Sequence, residues 1–444
     1  MNISTHLNIP EAMNVLMFGW EFPPNISGGL GTACYGIVKG LSEYQDIHVR
    51  FVVPKSHGNE MSANNLQLIS ADQISIGRET QLIHRLSNVS FFEVESKLTP
   101  YLTPEIYSET LQKSNKKEEI TSTTSKGTRI KFSGKYGPNL FDEIANYAIV
   151  AKTIAVENDF ELIHAHDWLT FPAAVAAKKI SGKPLILHVH STDFDRSGGA
   201  INPKIFAIEK QGLDEADKII VVSNRIKRRL TEQYFIPSDK IVTIYNGIET
   251  QVNTEEKLKH RTDKEQIVTF LGRITIQKGP EYFVDVARMV IQRMKNVHFV
   301  MAGNGELRNQ ILELSVKYGI SDRFHFTGFL NGPEVTEMLR RSDLFIMPSV
   351  SEPFGIVPLE AMQANVPVII SLQSGVSELI QNVVKTDFWD VHAMADAVHG
   401  ILKHKRLSKV MVEEGKQEVS KLNWTQPAHL IKQVYQNLLL NKAS

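Results

Sequence analysis

Short apolar runs of strand length alternate with stretches of helical period along most of the chain. In the first half these runs are Met13–Phe18, Val49–Val53, Leu162–Ala165, Leu185–His188, Lys218–Val222 and Ile241–Ile244. In the second half they are Ile267–Leu271, Val297–Ala302, Phe324–Thr327, Leu344–Met347 and Val366–Ile370. Helical patterns such as Pro280–Met294 and Glu306–Tyr318 lie between them. This alternation predicts an α/β protein built on doubly wound parallel sheets. A polar, charged stretch from Gly247 to Lys264 separates the two series. The expected layout is therefore a Rossmann-like domain over 1–247, a linker over 248–264 and a second Rossmann-like domain over 265–425. The last helix, within 426–444, is a candidate for packing back on the first domain. Two such sheets facing each other leave a cleft at their C-terminal strand ends, where open α/β sheets bind ligands.

One segment breaks the alternation. Residues 95–139 are long and polar, and Lys113–Lys135 carries seven Lys or Arg against two Glu. Excursions of this kind are functional loops or solvated surface loops. The rest of the composition agrees with a globular chain. At 444 residues it exceeds one ordinary core, with 42% hydrophobic and 22% charged residues. Lys plus Arg and Asp plus Glu both total 49, so net charge gives no reason to expect nucleic acid. The single cysteine, Cys34, allows no intrachain disulfide and no cysteine zinc site, which fits a reducing cytoplasm. Met1–Ala12 lacks the pattern of a signal peptide, and no apolar run approaches membrane-spanning length.

The candidate chemistry sits at predicted strand ends. Glu352 and Glu360 bracket Pro353-Phe354-Gly355-Ile356-Val357-Pro358-Leu359. Pro358 suits a first helical position, so Glu360 falls on the first turn of a helix. Free backbone N–H groups at such a terminus bind anions. Two carboxylates around an anion cradle suit a sugar nucleotide, with one acid for sugar hydroxyls and one for ribose. The plainer alternative is a helix-capping loop with two solvated acids. Arg273 and Lys278 converge at the crevice after the strand ending at Leu271. Their charges suit a departing diphosphate, and the alternative is a helix-end ion pair.

In the first half, Ser27-Gly28-Gly29-Leu30-Gly31 follows the first strand, and its glycines allow close backbone approach to a ligand. It is not a dinucleotide fingerprint, because Cys34 stands at the third glycine position and no acid ends the second strand. A Walker loop is also excluded, since Gly-Lys-Ser/Thr is missing. Asp193-Phe194-Asp195 resembles a metal-binding Asp-x-Asp but follows a strand in a two-sheet protein. Asp214-Glu215-Ala216-Asp217 spells a helicase box without a Walker loop, and is read as a helix end leading into a strand. Histidines cluster at two strand ends: His164 and His166 with Asp167, and His188 with His190. Spacing of two along a strand could suit a metal, but no added carboxylate or open site accompanies it. His190 is read as touching the reacting sugar, while His164 and His166 support the loop.

The chain resembles the GT-B-fold, retaining, family-4 glycosyltransferases, with glycogen or starch synthase the closest flavour. The resemblance covers nearly the whole chain. It rests on Phe18-Gly19-Trp20-Glu21-Phe22-Pro23-Pro24 with Ser27-Gly28-Gly29, on His164-Ala165-His166-Asp167-Trp168, on Gly272-Arg273 with Lys278-Gly279, and on Ser351 to Met362. It implies that Arg273 and Lys278 neutralise the donor diphosphate, Glu352 contacts the donor sugar and Glu360 holds the ribose. Gly355, Ile356 and Val357 would offer backbone donors, Gly28 and Gly29 would approach the phosphate from the other domain, and His190 would match the histidine at the sugar. It also implies loops near the base at Gly303-Asn304-Gly305 and Gly328-Phe329-Leu330. The sequence departs from the pattern at Ile26, where glycogen and starch synthases carry lysine, and at Gln363-Ala364-Asn365, where a glycine is usual.

The expected activity is transfer of a hexose, glucose first, from ADP-glucose or UDP-glucose to a glucan or other glycan, in the cytoplasm, with no cofactor and no metal. Alternatives are a lipid-linked or small-molecule acceptor, a sugar-nucleotide epimerase, and a glycan-binding protein with a dead site.

Overall fold

The computed structural model describes residues 12–26, 28–76, 121–124, 127–249 and 265–443. The first half supplies β1 (Met13–Phe18), β2 (Ile47–Val53), β3 (Leu66–Ser70), β4 (Ser75–Ile76), β5 (Thr121–Thr124), β6 (Gly127–Ile130), β7 (Leu162–His166), β8 (Leu185–Val189), β9 (Lys218–Val221) and β10 (Ile241–Thr243). Seven of these form a parallel sheet in the order β10-β9-β8-β7-β1-β2-β3. The second half supplies β11 (Gln266–Leu271), β12 (Val297–Ala302), β13 (Phe324–Gly328), β14 (Leu344–Met347), β15 (Val368–Ser371) and β16 (Val384–Thr386). They form a parallel sheet in the order β13-β12-β11-β14-β15-β16. Both sheets are doubly wound, as the alternation predicts. The strand order reverses between β1 and β7 in the first, and between β11 and β14 in the second. Each reversal opens a crevice at the C-terminal strand ends.

Three differences from the sequence reading have local causes. The short strands β3 and β16 escape it, because their partly exposed residues make no continuous apolar run. The expected strand from Val366 starts instead at Val368, since Pro367 has no N–H to give a ladder. Within the 95–139 excursion, β5 and β6 pair with β4 as a small antiparallel sheet. The remainder of that excursion up to residue 120, and the expected linker from residue 250 to 264, lie outside the described residues.

The helix Thr425–Ala443 packs on the helix Gly29–Leu41 of the first unit. Trp424, Ala428, Ile431, Tyr435 and Leu438 join one apolar cluster with Val15, Met17, Ile37 and Leu41. Two glycines inside the Gly29–Leu41 helix allow this closeness. A Cβ on Gly36 would lie 2.0 Å from the Trp424 ring, and one on Gly40 would lie 2.8 Å from the Ala428 Cβ. Glycine inside a helix costs about 1 kcal/mol relative to alanine, and the contact explains its presence. The chain crosses between the units at two adjacent places, where the Ile248 N–H donates to the Leu422 carbonyl at 2.8 Å.

Candidate active site

The crevice of the second sheet gathers the four charged residues singled out from sequence. After β11 the chain turns at Gly272, passes Arg273 and makes a single turn over Ile276–Lys278. Gly279 then caps that turn with φ +64° and Pro280 opens the next helix. A Cβ at Gly279 would come within 2.2 Å of the Pro348 carbonyl, so the turn is pressed against the loop after β14. That closeness brings the Lys278 ammonium onto the Glu352 carboxylate as an ion pair. Glu352 is 6% exposed and also accepts from the Ser349 hydroxyl at 3.3 Å. Arg273 donates to Gln277 Oε1 at 3.3 Å.

The backbone fixes Glu352 as firmly as its side chain does. Its N–H donates to the Gln373 carbonyl, and its carbonyl accepts from Gly375 N–H, both at 2.9 Å. Gly355 then turns with φ +100°, where a side chain would strain the chain. The helix Val357–Gln363 follows, with Pro358 in its first turn. Among the described residues, the Gly355 and Ile356 amides donate to no protein acceptor. Glu360 lies in that first turn, partly buried and with no hydrogen bond to its carboxylate among the described residues. Burial alone raises its pKa to about 7.

On the facing sheet, Gly28 and Gly29 begin the helix after β1, and a Cβ on either would meet nothing within 4 Å among the described residues. Ser27 lies outside the described residues. His190 follows β8. Its N–H donates to Asp167 Oδ1 at 2.6 Å, and its Nε2 lies 3.0 Å from His166 Nδ1. Burial lowers its pKa to about 3, so the ring is neutral. Burial also raises Asp167 to about 6, against the pull of Arg196 and two backbone N–H groups. The same sheet face carries His164, His166 and His188, all buried.

Side chains from the first unit hold the Glu352 loop. Asp195 accepts from the Ser351 hydroxyl at 2.7 Å, and Arg225 donates to Ser351 at 3.2 Å. The Ser223 hydroxyl donates to the Pro353 carbonyl at 2.6 Å. Glu378 accepts the Asn224 and Arg225 amides at 2.9 and 2.8 Å, at the start of the helix Asn224–Gln233. This charge placement suits a helix N-terminus.

The sequence reading singled out Asp195 only as half of a metal-like pair. In the structure Asp195 caps its own short helix through Thr192 and reaches across to Ser351. Asp193 accepts instead from the Asn202 amide at 2.5 Å. Asp217 accepts from the Leu185 N–H at 2.7 Å and pairs with Lys178, tying a helix end to β8 and the strand that follows. Ser223 and Glu378 carry no motif of their own, and Ser351 stands only as the first residue of the Glu352 motif, so the spatial meeting of distant segments alone reveals their contacts.

Two facing doubly wound sheets, each with its candidate residues at the strand-order reversal, define the GT-B class of glycosyltransferase. Two family models match the chain consecutively: Glycosyltransferase Family 4 over residues 112–252 and Glycosyl transferases group 1 over residues 252–418. The chain belongs to the family-4 GT-B glycosyltransferases, enzymes that transfer a sugar from a nucleotide sugar. An uncharacterized glycosyltransferase of Methanocaldococcus jannaschii is 28% identical, over 95% of this chain and 98% of the relative. Glycogen synthase of Mycobacterium tuberculosis is 27% identical, over 62% of this chain and 68% of its own. The solved sucrose-phosphate synthase of Thermosynechococcus elongatus superposes with TM-score 0.70 at 18% identity, over 97% of this chain and all of its own. Among the described residues, no helix is long and apolar enough to cross a membrane.

Proposed function

We propose that this enzyme moves a hexose, glucose first, from ADP-glucose or UDP-glucose to a glucan or other glycan end, with retention of configuration and without a metal. The observation that carries the reading is the Lys278–Glu352 ion pair beside Arg273 at the second sheet's crevice. On this reading one carboxylate and two cations serve a single sugar diphosphate.

The donor-free pair has a direct use. A diphosphate arriving between Arg273 and Lys278 competes for the ammonium and frees Glu352 to accept from sugar hydroxyls. The Gly355, Ile356 and Val357 backbone then faces phosphate and sugar oxygens, and Glu360 accepts from the ribose. Gly28 and Gly29 leave open space on the opposite wall, where the diphosphate can approach closely. His190 is neutral, so it offers the sugar a hydrogen bond rather than a positive charge.

In the chemical step, the acceptor oxygen attacks the anomeric carbon on the face from which the diphosphate departs. The bond from that carbon to the β-phosphate oxygen breaks, and the acceptor proton passes to the departing phosphate. Arg273 and Lys278 stabilise the charge that develops there, the role a bound metal plays elsewhere. Glu352 forms no covalent bond, unlike the nucleophilic acid of retaining glycosidases.

The test is nucleotide release from ADP-glucose, UDP-glucose and GDP-mannose, each with and without glycogen. Release from a glucose donor that rises with glycogen, with α-linked product, supports the reading. Release that requires a lipid or small-molecule acceptor, or a new epimer formed without acceptor, overturns the glucan assignment.

A further inference from the structure

Behind His190 lies a column of imidazoles that the transfer reaction does not use. His164 and His166 on β7 and His188 and His190 at the end of β8 alternate along adjacent parallel strands, so all four project from one sheet face. Among the described residues, five of their ring nitrogens are buried without a hydrogen-bond partner: His164 Nε2, His166 Nε2, both nitrogens of His188 and His190 Nδ1. A buried polar atom left unpaired costs about 1–3 kcal/mol, so five together call for an occupant.

The partnered nitrogens show which atoms are available. His164 Nδ1 lies 2.6 Å from the Tyr435 hydroxyl, and His166 Nδ1 lies 3.0 Å from His190 Nε2. With each Nδ1 engaged, the Nε2 lone pairs of His164 and His166 are left to bind. Holding the far nitrogen of an imidazole is how metal-ligating histidines are oriented. One nitrogen each from His164, His166 and His188 lie within 4.8 Å of one another. Their ring centres are 4.5, 5.4 and 5.3 Å apart. Three imidazoles on a tetrahedral ion, with metal–nitrogen bonds of about 2.0–2.1 Å, place their ring centres about 5 Å apart.

We propose that His164, His166 and His188 bind a divalent zinc-class ion, with water as the fourth ligand. The inference is independent of the donor and acceptor assigned above. Burial keeps all three rings unprotonated, the form that coordinates a metal. The His164 and His188 ring planes differ by only 5°. One ring therefore turns about its Cβ–Cγ bond on binding, and the nitrogens contract toward about 3.3 Å. Buried Asp167 and Glu21, both close enough to act on Cys34, supply negative charge on this side.

A second triad, Cys34 with His166 and His190, also has ligand atoms within 4.8 Å. It is the weaker site. Its two histidines already share a hydrogen bond, and burial, with Asp167 and Glu21, raises the Cys34 thiol well above its ordinary pKa. The chosen site would join Tyr435 of the docked helix to His190 at the cleft, through His164, the ion and His166.

The experiment uses the full chain without an affinity tag, expressed with zinc supplied, because a trio at 0–1% exposure is loaded during folding. Metal content is measured by mass spectrometry, and the ion is located by anomalous diffraction. The expected result is about one ion per chain, with the anomalous peak among the three rings. His188→Asn should lose it, and Cys34→Ser should keep it. Less than a tenth of an equivalent, even after refolding with excess zinc, overturns the proposal. So does a peak confined to Cys34, or to the half-exposed His298–His325 pair, whose ring nitrogens lie 2.9 Å apart. If His188→Asn does not fold, the wild-type anomalous map alone decides.

Discussion

Glu360→Gln is expected to make the protein more stable and less able to bind its donor. Burial raises the pKa of Glu360 from its ordinary 4.5 to about 7 in the folded state, with no compensating hydrogen bond among the described residues. An acid raised in this way holds its proton in the folded state and releases it in the unfolded one. Wild-type stability therefore falls as pH rises from 4.5 to 7, and is flat beyond. The span, at about 1.4 kcal/mol for each unit, gives about 3 kcal/mol. Glu360 keeps part of its surface in water, which reduces the expected gain to about 1–2 kcal/mol. For a chain of 444 residues melting as one unit, that corresponds to a rise of about 1–2 °C in melting temperature above pH 7. Near pH 4.5 wild type and variant should melt together. The effect on the proposed ribose contact runs the other way. Losing hydrogen bonds to a charged acceptor costs about 1.5–3 kcal/mol, or about 10–150-fold in nucleotide affinity. Thermal melts at half-unit steps from pH 4.5 to 8.5, with calorimetric titration of UDP and ADP at pH 8, measure both. A variant less stable at pH 8, or a stability gap independent of pH, refutes the burial argument. Unchanged affinity for both nucleotides refutes the ribose role.

Further perturbations address the other parts of the site. Arg273→Ala and Lys278→Ala should each lower kcat/KM for the donor about 100–1000-fold, read as nucleotide release. Glu352→Gln should abolish most turnover, while circular dichroism and gel filtration remain those of the wild type. Ser351→Ala removes the hydroxyl shared by Asp195 and Arg225, and should cost about 1–3 kcal/mol in chemical denaturation while raising the donor KM. Gly36→Val drives a side chain into the Trp424 ring, and should cost about 1–3 kcal/mol or more, with a shift in tryptophan emission.

The fold class was legible because strands buried on both faces must be apolar along their length, and Leu344–Met347 or Leu185–His188 can hardly be read otherwise. Edge strands such as β16 present partly exposed residues and leave no comparable mark. The donor-side candidates were legible for a related reason. A strand-to-helix turn is a local event, so Leu271-Gly272-Arg273 and Lys278-Gly279-Pro280 could be placed from their neighbours alone. The interdomain contacts were not legible. Asp195 and Ser351 are 156 positions apart, and neither the Asp-x-Asp pattern around the one nor the Glu352 motif around the other shows that they meet. The histidines were visible as strand-end pairs. Their common face, and the number of unpaired nitrogens it buries, followed only from the pairing of β7 with β8.

The helix Thr425–Ala443 has a consequence for the order in which the molecule can be made. The apolar face of Gly29–Leu41 waits for Trp424, Ile431 and Tyr435 to cover it. These residues leave the ribosome after all of the second sheet. At roughly 5–20 residues per second, that face stays bare for tens of seconds of synthesis. The second sheet can close its own core meanwhile, because its strands and helices are contiguous. The half of the protein translated first is therefore the half that finishes folding last, and it is the half a chaperone would be expected to hold.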